Sequence, residues 1–230
     1  MRTLPRCPIA ALALLAASVA RAQAPWGSLE MGAGPYVPSI DREFGGAATP
    51  YQDIFGGSPA PMFRLAIAKA VFTGQGTVEV GFETGFFTKA GNAVQSTDTS
   101  VKTADRTSLN IIPTSLTVTY RAEQVYERLG VPLVPYARIA LERYNWWVTK
   151  QSSWIEKGAT NGWSASVGLA LVLDPVDPSA ARELRSEVGI LHTDLYFDIS
   201  KDWVNDFGST KSWDLSNSRF AWSAGLLFVF

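Results

Sequence analysis

Apolar and polar residues alternate along eight segments of this 230-residue chain. Successive side chains of a β-strand point to opposite faces, so such alternation gives each strand one apolar and one more polar face. The pattern is clearest where Val80 and Phe82 alternate with Glu79 and Glu83. The segments are 28–36, 62–72, 77–87, 108–121, 133–148, 162–173, 191–201 and 213–230.

The last eleven residues, 220–230, decide between two all-β folds. Trp222, Leu226 and Phe228 share one strand face, and the chain ends on Phe230. An exposed apolar strand promotes aggregation of a soluble protein, whereas a closed barrel in lipid leaves no unpaired strand. We therefore predict a closed antiparallel up-and-down transmembrane β-barrel of eight strands; the alternative is the last strand of a soluble sandwich. The ending also resembles the C-terminal signal of bacterial outer-membrane barrels, which implies the barrel-assembly machinery as a partner.

An even number of strands places both chain ends on one side of the membrane, which we expect to be the periplasm. A hairpin hidden in either of the first two long loops would raise the strand number to ten. Helices are predicted at 122–129 and 178–188, with helix starts at Asp174-Pro175 or Asp177-Pro178, and a bulge is predicted at Pro113. The predicted periplasmic links are 73–76, 122–132 and 174–190, and the predicted extracellular loops are 37–61, 88–107, 149–161 and 202–212.

Aromatic residues concentrate near the ends of the predicted strands, as they do at the two interfaces of a membrane. This agreement supports the topology, because the even strand number sets the orientation independently of the aromatic residues; the alternative is that they are core residues of a sandwich. Those at the predicted extracellular end are Tyr144, Trp146, Trp147, Trp163, Trp203 and Trp213, and those at the opposite end are Phe72, Tyr120, Phe228 and Phe230.

The N-terminal segment has the features of a cleaved export signal. Arg2 and Arg6 precede a short apolar run at 9–19, and residues 20–22 (ARA) form a small-x-small cleavage site. We predict a signal peptide at 1–22 and a single barrel domain at 23–230. The only cysteine, Cys7, precedes the apolar run, which argues against a lipid anchor and leaves the mature chain without disulfides or thiolate metal ligands.

The charge balance argues against nucleic acid as a partner. Without the three arginines of the signal peptide, 17 of the 20 basic residues remain against 21 acidic ones, a net charge of about −4. Nucleic-acid binding calls for a basic stripe instead.

Ten charged residues fall on the strand faces that would point inward. An eight-stranded barrel is wide enough only for side chains to fill it, so these charges must pair or contact water. A nearly balanced set of acids and bases favours a filled interior over a diffusion pore. The ten are Glu30, Arg64, Glu79, Glu83, Arg121, Arg138, Glu142, Asp194, Asp198 and Arg219.

Catalytic and metal-binding patterns are weak. The only histidine, His192, lies two residues before Asp194, and Ser166 or Ser223 could complete a hydrolase triad. A hydrogen-bonded histidine at the membrane interface is the simpler interpretation, and Glu79 and Glu83 fit an interior salt bridge better than an acid/base pair. Calcium could be held by Asp41, Glu43 and Asp53, but their spacing matches no known calcium loop. We therefore predict no catalytic residue, cofactor or metal.

Several stretches together resemble a family of outer-membrane β-barrel proteins of myxobacteria whose function is unassigned. The resemblance covers nearly the whole mature chain and implies a Gram-negative outer-membrane location, without a ligand or reaction. It rests on GPYVPSID (34–41), EFGG (43–46), PYQDIFGG (50–57), NIIPTSLTVTYR (110–121), GVPLVPYARIAL (130–141), WWV (146–148), LDPVDPSAARELRSEVGILHTDLYF (173–197) and the last strand.

Three functions remain open from the sequence. The first is a structural or interaction barrel that meets outer-membrane lipid along its sides and an extracellular partner through its loops. The second is a narrow channel or carrier for small solutes. The third is a lipid-modifying or proteolytic enzyme built around His192.

Overall fold

Eight antiparallel strands form one closed ring in the computed structural model, which describes residues 25–95, 101–150, 153–209, 212–218 and 220–230. Each strand pairs with its neighbours in chain order, so the predicted up-and-down barrel is confirmed and the ten-strand alternative is excluded. The strands are β1 Gly27–Tyr36, β2 Ala60–Gly74, β3 Gly76–Val94, β4 Lys102–Arg121, β5 Leu133–Lys150, β6 Ser153–Val172, β7 His192–Trp203 and β8 Ala221–Val229.

The ring closes between the first and the last strand. Pairs run from Ser28 with Val229 to Ala33 with Ala224. This closure pairs every strand on both sides, which is what a strand needs inside hydrocarbon. The predicted signal peptide, 1–22, and Arg219 lie outside the described residues.

Side chains alternate between the two surfaces of the ring as the sequence predicts. Outward residues are apolar and exposed, such as Leu116 at 63% and Ile139 at 60%, whereas the inward Glu79 is 1% exposed. Trp163 and Trp203 stack on the outer surface with ring centroids 4.1 Å apart. An apolar exterior around a polar interior is the arrangement of a transmembrane barrel rather than of a soluble sandwich.

Short helices lie at both ends of the barrel. At the end that carries residues 25 and 230, here called the terminal end, α2 (Gln124–Leu129) and α3 (Pro178–Glu187) confirm the two predicted helices. The Asp177 carboxylate accepts the backbone N–H groups of Ser179 and Ala180, which is why α3 begins there rather than at Asp174. The opposite end, called the loop end, carries the unpredicted α1 (Pro50–Phe55). Among the described residues, none of the helices has the length and apolarity to cross a bilayer.

Four strands continue beyond the ring at the loop end. Pairing between β2 and β3 stops at Met62 with Phe87, and pairing between β6 and β7 stops at Trp163 with Trp203. Beyond these pairs β3 to β6 form a projecting sheet, defined by residues 88–94, 102–110, 145–150 and 153–162. The predicted loops 88–107 and 149–161 were therefore wrong over most of their length, because their polar residues still pair through backbone groups.

Two local predictions were also wrong. Pro113 causes no bulge, because the β3–β4 register is the same on both sides of it and the β4–β5 register runs straight through it. The last strand begins at Ala221 rather than near Trp213. Residues before it instead fold back over the loop end, where Tyr36 Oη donates a hydrogen bond of 2.5 Å to the Leu215 carbonyl.

Candidate functional site

An arginine–carboxylate network crosses the barrel interior. Arg121 Nε lies 2.8 Å from Glu79, and a second nitrogen of its guanidinium group contacts Glu30. Arg138 reaches Glu30 at 2.5 Å and Glu83 at 3.4 Å. These five side chains come from four different strands, so the network joins opposite walls of the ring.

Arg64 extends the same network toward the loop end with a bond of 3.2 Å to Glu83. All six charged side chains of the network are buried or nearly so. Three positive and three negative groups balance one another, which is the condition for keeping charges away from water. The predicted interior salt-bridge role of Glu79 and Glu83 is confirmed.

Uncharged partners hold the next acids. Asp198 accepts hydrogen bonds from Tyr136 at 3.0 Å and from Ser223 at 2.7 Å, and Glu142 accepts one from Ser164 at 2.7 Å. A cavity lined by Glu142, Ser164 and Asp198 measures about 20 Å³, and another, lined by residues that include Tyr36 and Ser223, measures about 10 Å³. Such spaces hold one or two water molecules at most, so the middle of the barrel is filled.

A second closure lies at the loop end, where apolar residues replace charges. The Tyr36 ring packs edge-on against Phe87 with centroids 4.9 Å apart and lies 6.2 Å from Tyr144. All three are at most 1% exposed. Leu109, Ile111 and Met62 complete the layer. This aromatic plug seals the interior above the ion pairs.

Three aromatic residues predicted at the membrane interface belong to this plug and its cover. Tyr144 and Trp146 point inward because they continue the inward phase of Glu142, and Trp213 stacks on Trp146 with ring centroids 4.0 Å apart. The interface prediction was therefore wrong for these three residues. It fits Trp163, and also Phe72 and Tyr120 at the terminal end, which are exposed on the outer surface.

The segment that contains α1 folds over the plug as a cap. Asp41 accepts the backbone N–H groups of Tyr51 at 2.7 Å and Gln52 at 3.1 Å, so it holds the first turn of α1. The Tyr51 side chain is buried, and burial, together with the nearby Asp41 carboxylate, raises the pKa of its hydroxyl. Lys89 on the projecting sheet donates to the Gly56 carbonyl at 2.9 Å and to the Ser58 carbonyl.

The three acids considered for calcium each bind something different. Asp41 caps α1, Asp53 accepts a hydrogen bond from Thr49 at 3.1 Å, and Glu43 accepts the backbone N–H of Asp214. Across the described ranges, no group of three or more His, Cys, Asp or Glu side chains is arranged to hold a metal ion.

A cleft of about 340 Å³ separates the cap from the projecting sheet. Its walls are mostly apolar, and the volume of the cleft is that of a small-ligand pocket. Gly91 lets the two walls approach, because a Cβ atom there would lie 2.0 Å from the Ile54 carbonyl oxygen. The cap side contributes Ile40, Phe44, Ile54 and Phe55, and the sheet side contributes Ala93, Leu109, Val148 and Ile155.

The geometry does not build a triad around the only histidine. His192 Nδ1 lies 2.7 Å from Asp174, a residue of the preceding link, rather than pairing with Asp194. Ser223 donates to Asp198 at mid-barrel, and Ser166 pairs across the sheet with Arg138. The expected combination of His192 and Asp194 with either serine is therefore not formed.

A pocket of about 260 Å³ opens beside His192 at the terminal end, under α2. Its rim includes Glu123, whose carboxylate accepts a hydrogen bond of 2.5 Å from Thr77. Burial raises the pKa of Glu123 above its usual value, although the Thr77 hydrogen bond acts in the opposite direction. Sequence reasoning missed this pocket, since its residues come from seven strands, from α2 and from segments outside these elements.

These features define the class of protein. A closed ring of eight antiparallel strands with an apolar outer belt and a filled polar interior is an outer-membrane β-barrel. The alternating strand faces form the wall of this barrel, and the ion pairs and the plug fill its interior.

Solved structures with a similar backbone fold include three β-barrel or surface proteins. Neisserial surface protein A (NspA) aligns with a TM-score of 0.47 and 11% identity over 89% of this chain and 96% of that one. The N-terminal β-barrel domain of Pseudomonas aeruginosa OprF aligns with a TM-score of 0.42 and 13% identity over 90% of this chain and 99% of that one. Ail of Yersinia pestis aligns with a TM-score of 0.41 and 10% identity over 90% of this chain and 99% of that one. The chain matches no protein family profile and none of the curated proteins.

Proposed function

We propose that this chain is a non-conducting outer-membrane barrel that acts through contacts at its loop end. The observation that carries the proposal is the double closure of its interior. Ions would have to pass the network around Glu30 and Arg138 and then the plug of Tyr36, Phe87 and Tyr144. The mid-barrel cavities of about 20 and 10 Å³ are too small for a hydrated ion.

The loop end is the part of the molecule built for interaction. Its cap is held by Asp41 and Lys89, and the apolar cleft lies between that cap and the projecting sheet. Exposed apolar side chains lie on the sheet above the ring, including Trp154 at 68% and Ile155 at 58%. We place this end outside the cell and the terminal end in the periplasm. Lipid covers the outer belt, and the chain performs no enzymatic reaction.

The resemblance to the myxobacterial barrel family supports the outer-membrane location and adds no ligand. Recognition of β8 by the barrel-assembly machinery stays a prediction.

Conductance in a planar bilayer tests the closed interior. Reconstituted protein that shows the heat-dependent mobility shift of a folded barrel should give no reproducible single-channel steps, while a diffusion porin prepared in parallel should give them. Steps of constant size from the folded protein would contradict the proposal and favour the narrow channel.

Single cysteines test the orientation. Because Cys7 is the only cysteine and lies within the predicted signal peptide, Lys157→Cys at the loop end and Glu183→Cys on α3 each give one thiol in the mature chain. A membrane-impermeant maleimide should label Lys157→Cys on intact cells and Glu183→Cys only after lysis. The reverse pattern would place the loop end in the periplasm.

A further inference from the structure

The pocket at the terminal end contains an acid without its own counterion. Asp194 is 3% exposed and lines the pocket, and its Oδ1 has no hydrogen-bond partner among the described residues. The two positive or protonatable groups that act on it are committed elsewhere. His192 bonds to Asp174, and Arg121 is shared by Glu79 and Glu30. A buried carboxylate in this position favours a positively charged occupant.

The charges around the pocket also favour a positively charged ligand. Glu123, Glu127 and Asp194 line it, against Arg121 and His192. Because two carboxylates already compensate the Arg121 guanidinium group, the pocket is negative overall. The exception is Arg121 Nη1, which is buried without an acceptor. A ligand that carries a carbonyl oxygen next to a positive group would satisfy both Arg121 Nη1 and the Asp194 carboxylate.

The remaining wall is apolar. Val134, Val172 and Val229 are at most 5% exposed and pack in one cluster, which Tyr126 of α2 joins. Tyr126 also meets the His192 ring edge-on at 5.7 Å. The volume of about 260 Å³ is close to the lower limit of small-ligand pockets.

From this juxtaposition we propose a binding site for an α-ammonium group with an adjacent carbonyl and a small apolar side chain, the chemistry of a peptide N-terminus or an amino-acid amide. Asp194 accepts the ammonium group, Arg121 donates to the carbonyl, and the valine wall takes the side chain. The site lies at the opposite end of the barrel from the cap, so it does not depend on the proposed function or on conductance.

Titration of the folded barrel with leucinamide, followed by the backbone amide shifts of β7 and α2, tests the site. Leucinamide should bind saturably, N-acetyl-leucinamide should bind roughly tenfold more weakly or worse because the charge-assisted bond is lost, and zwitterionic leucine should fall between them. Leu-Gly-Gly distinguishes the two sources, since only a site open to peptides binds it as well as leucinamide. Equal binding of the acetylated and free amides would overturn the proposal.

A pair of variants locates the charge. Asp194→Asn should weaken leucinamide binding roughly tenfold or more, whereas Glu183→Gln removes an exposed acid of α3 at the same end and should leave binding unchanged. Unchanged binding to Asp194→Asn would overturn the assignment. If Asp194→Asn fails to fold, the comparison of leucinamide with N-acetyl-leucinamide on the unaltered protein decides alone.

Discussion

Nη2 of Arg138 on β5 donates to both carboxylate oxygens of Glu30 on β1, at 2.5 and 2.6 Å, across 108 positions of the chain. β1 and β5 are not neighbours in the ring, so this pair spans the interior rather than one wall. The same arginine also contacts Glu83 and Thr119 on two further strands. One side chain therefore joins four strands.

Replacement of Arg138 by methionine should destabilise the barrel by about 3 kcal/mol, the lower end of the cost of breaking a buried ion pair. Glu30 and Glu83 each keep one other arginine, which limits the loss. Urea unfolding of the reconstituted protein measures the change. Arg143→Met on the outer face of the same strand is the control and should change stability by less than about 1 kcal/mol. Equal losses in the two variants would show that the network is not what stabilises the interior.

The plug predicts unequal losses of stability for alanine substitution of two adjacent phenylalanines. Phe87 is 0% exposed inside the barrel, whereas Phe86 is 43% exposed on the outer surface. Phe87→Ala should cost about 3 kcal/mol or more, because it leaves a cavity under Tyr36. Phe86→Ala should cost less, since acyl chains fill the vacated space. Urea midpoints in one lipid compare the two, and a larger loss for Phe86→Ala would mean that the strand faces are reversed.

Lys89 should control how firmly the cap is held. Its ammonium group bonds to the carbonyls of Gly56 and Ser58 just after α1. In Lys89→Ala the amides of Asp53 and Gly56, which close the turns of α1, should exchange with deuterium roughly tenfold faster, because bonds to a charged donor are lost. Lys102→Ala, on an exposed part of the projecting sheet, should leave those rates unaltered. Unaltered rates in Lys89→Ala would indicate that apolar packing alone holds α1.

Glu123 should make the docking of α2 depend on pH. Its pKa is raised in the folded protein, mainly by burial, so the folded state binds the proton more tightly than the unfolded state. The carboxyl group therefore favours folding most below its unfolded pKa near 4.5, and this contribution is lost as pH rises through the folded value. The neighbouring charges are Arg121, Glu79 and Glu127.

Amide exchange of α2 between pH 4 and pH 7, corrected for the intrinsic rates, measures this dependence. Protection should fall as pH rises in the unaltered protein, and Glu123→Gln should flatten the change while raising protection at pH 7. A steeper fall in Glu123→Gln would assign the dependence to another group.

Alternation alone predicted most of the fold. It placed every one of the nine described interior charges correctly, because a strand face follows from position parity once one residue is fixed. The same rule could have placed Tyr144 and Trp146 inside, since both share the phase of Glu142. Their prediction at the membrane interface rests on residue type, which is weaker information about strand face than the alternation of positions along the strand.

The ends of the barrel were harder to predict for a different reason. The projecting sheet carries many polar residues between its apolar ones, so a regular alternation does not mark its strands. Asp202 was assigned to a loop, yet it is 0% exposed at the end of β7. The cap depends on contacts between distant residues, such as Lys89 with Gly56, that local sequence does not show. The pocket beside Asp194 is likewise a product of long-range pairing.

The placement of Glu30 on the first strand couples the filling of the interior to the position of that strand. Its partners Arg121 and Arg138 lie on β4 and β5, while β1 itself pairs with β2 on one side and with β8 on the other. A partly formed sheet that lacks β1 would carry guanidinium groups short of one carboxylate, and such a state needs water in its lumen. We therefore expect dehydration of the interior to follow the docking of the first strand rather than to precede it.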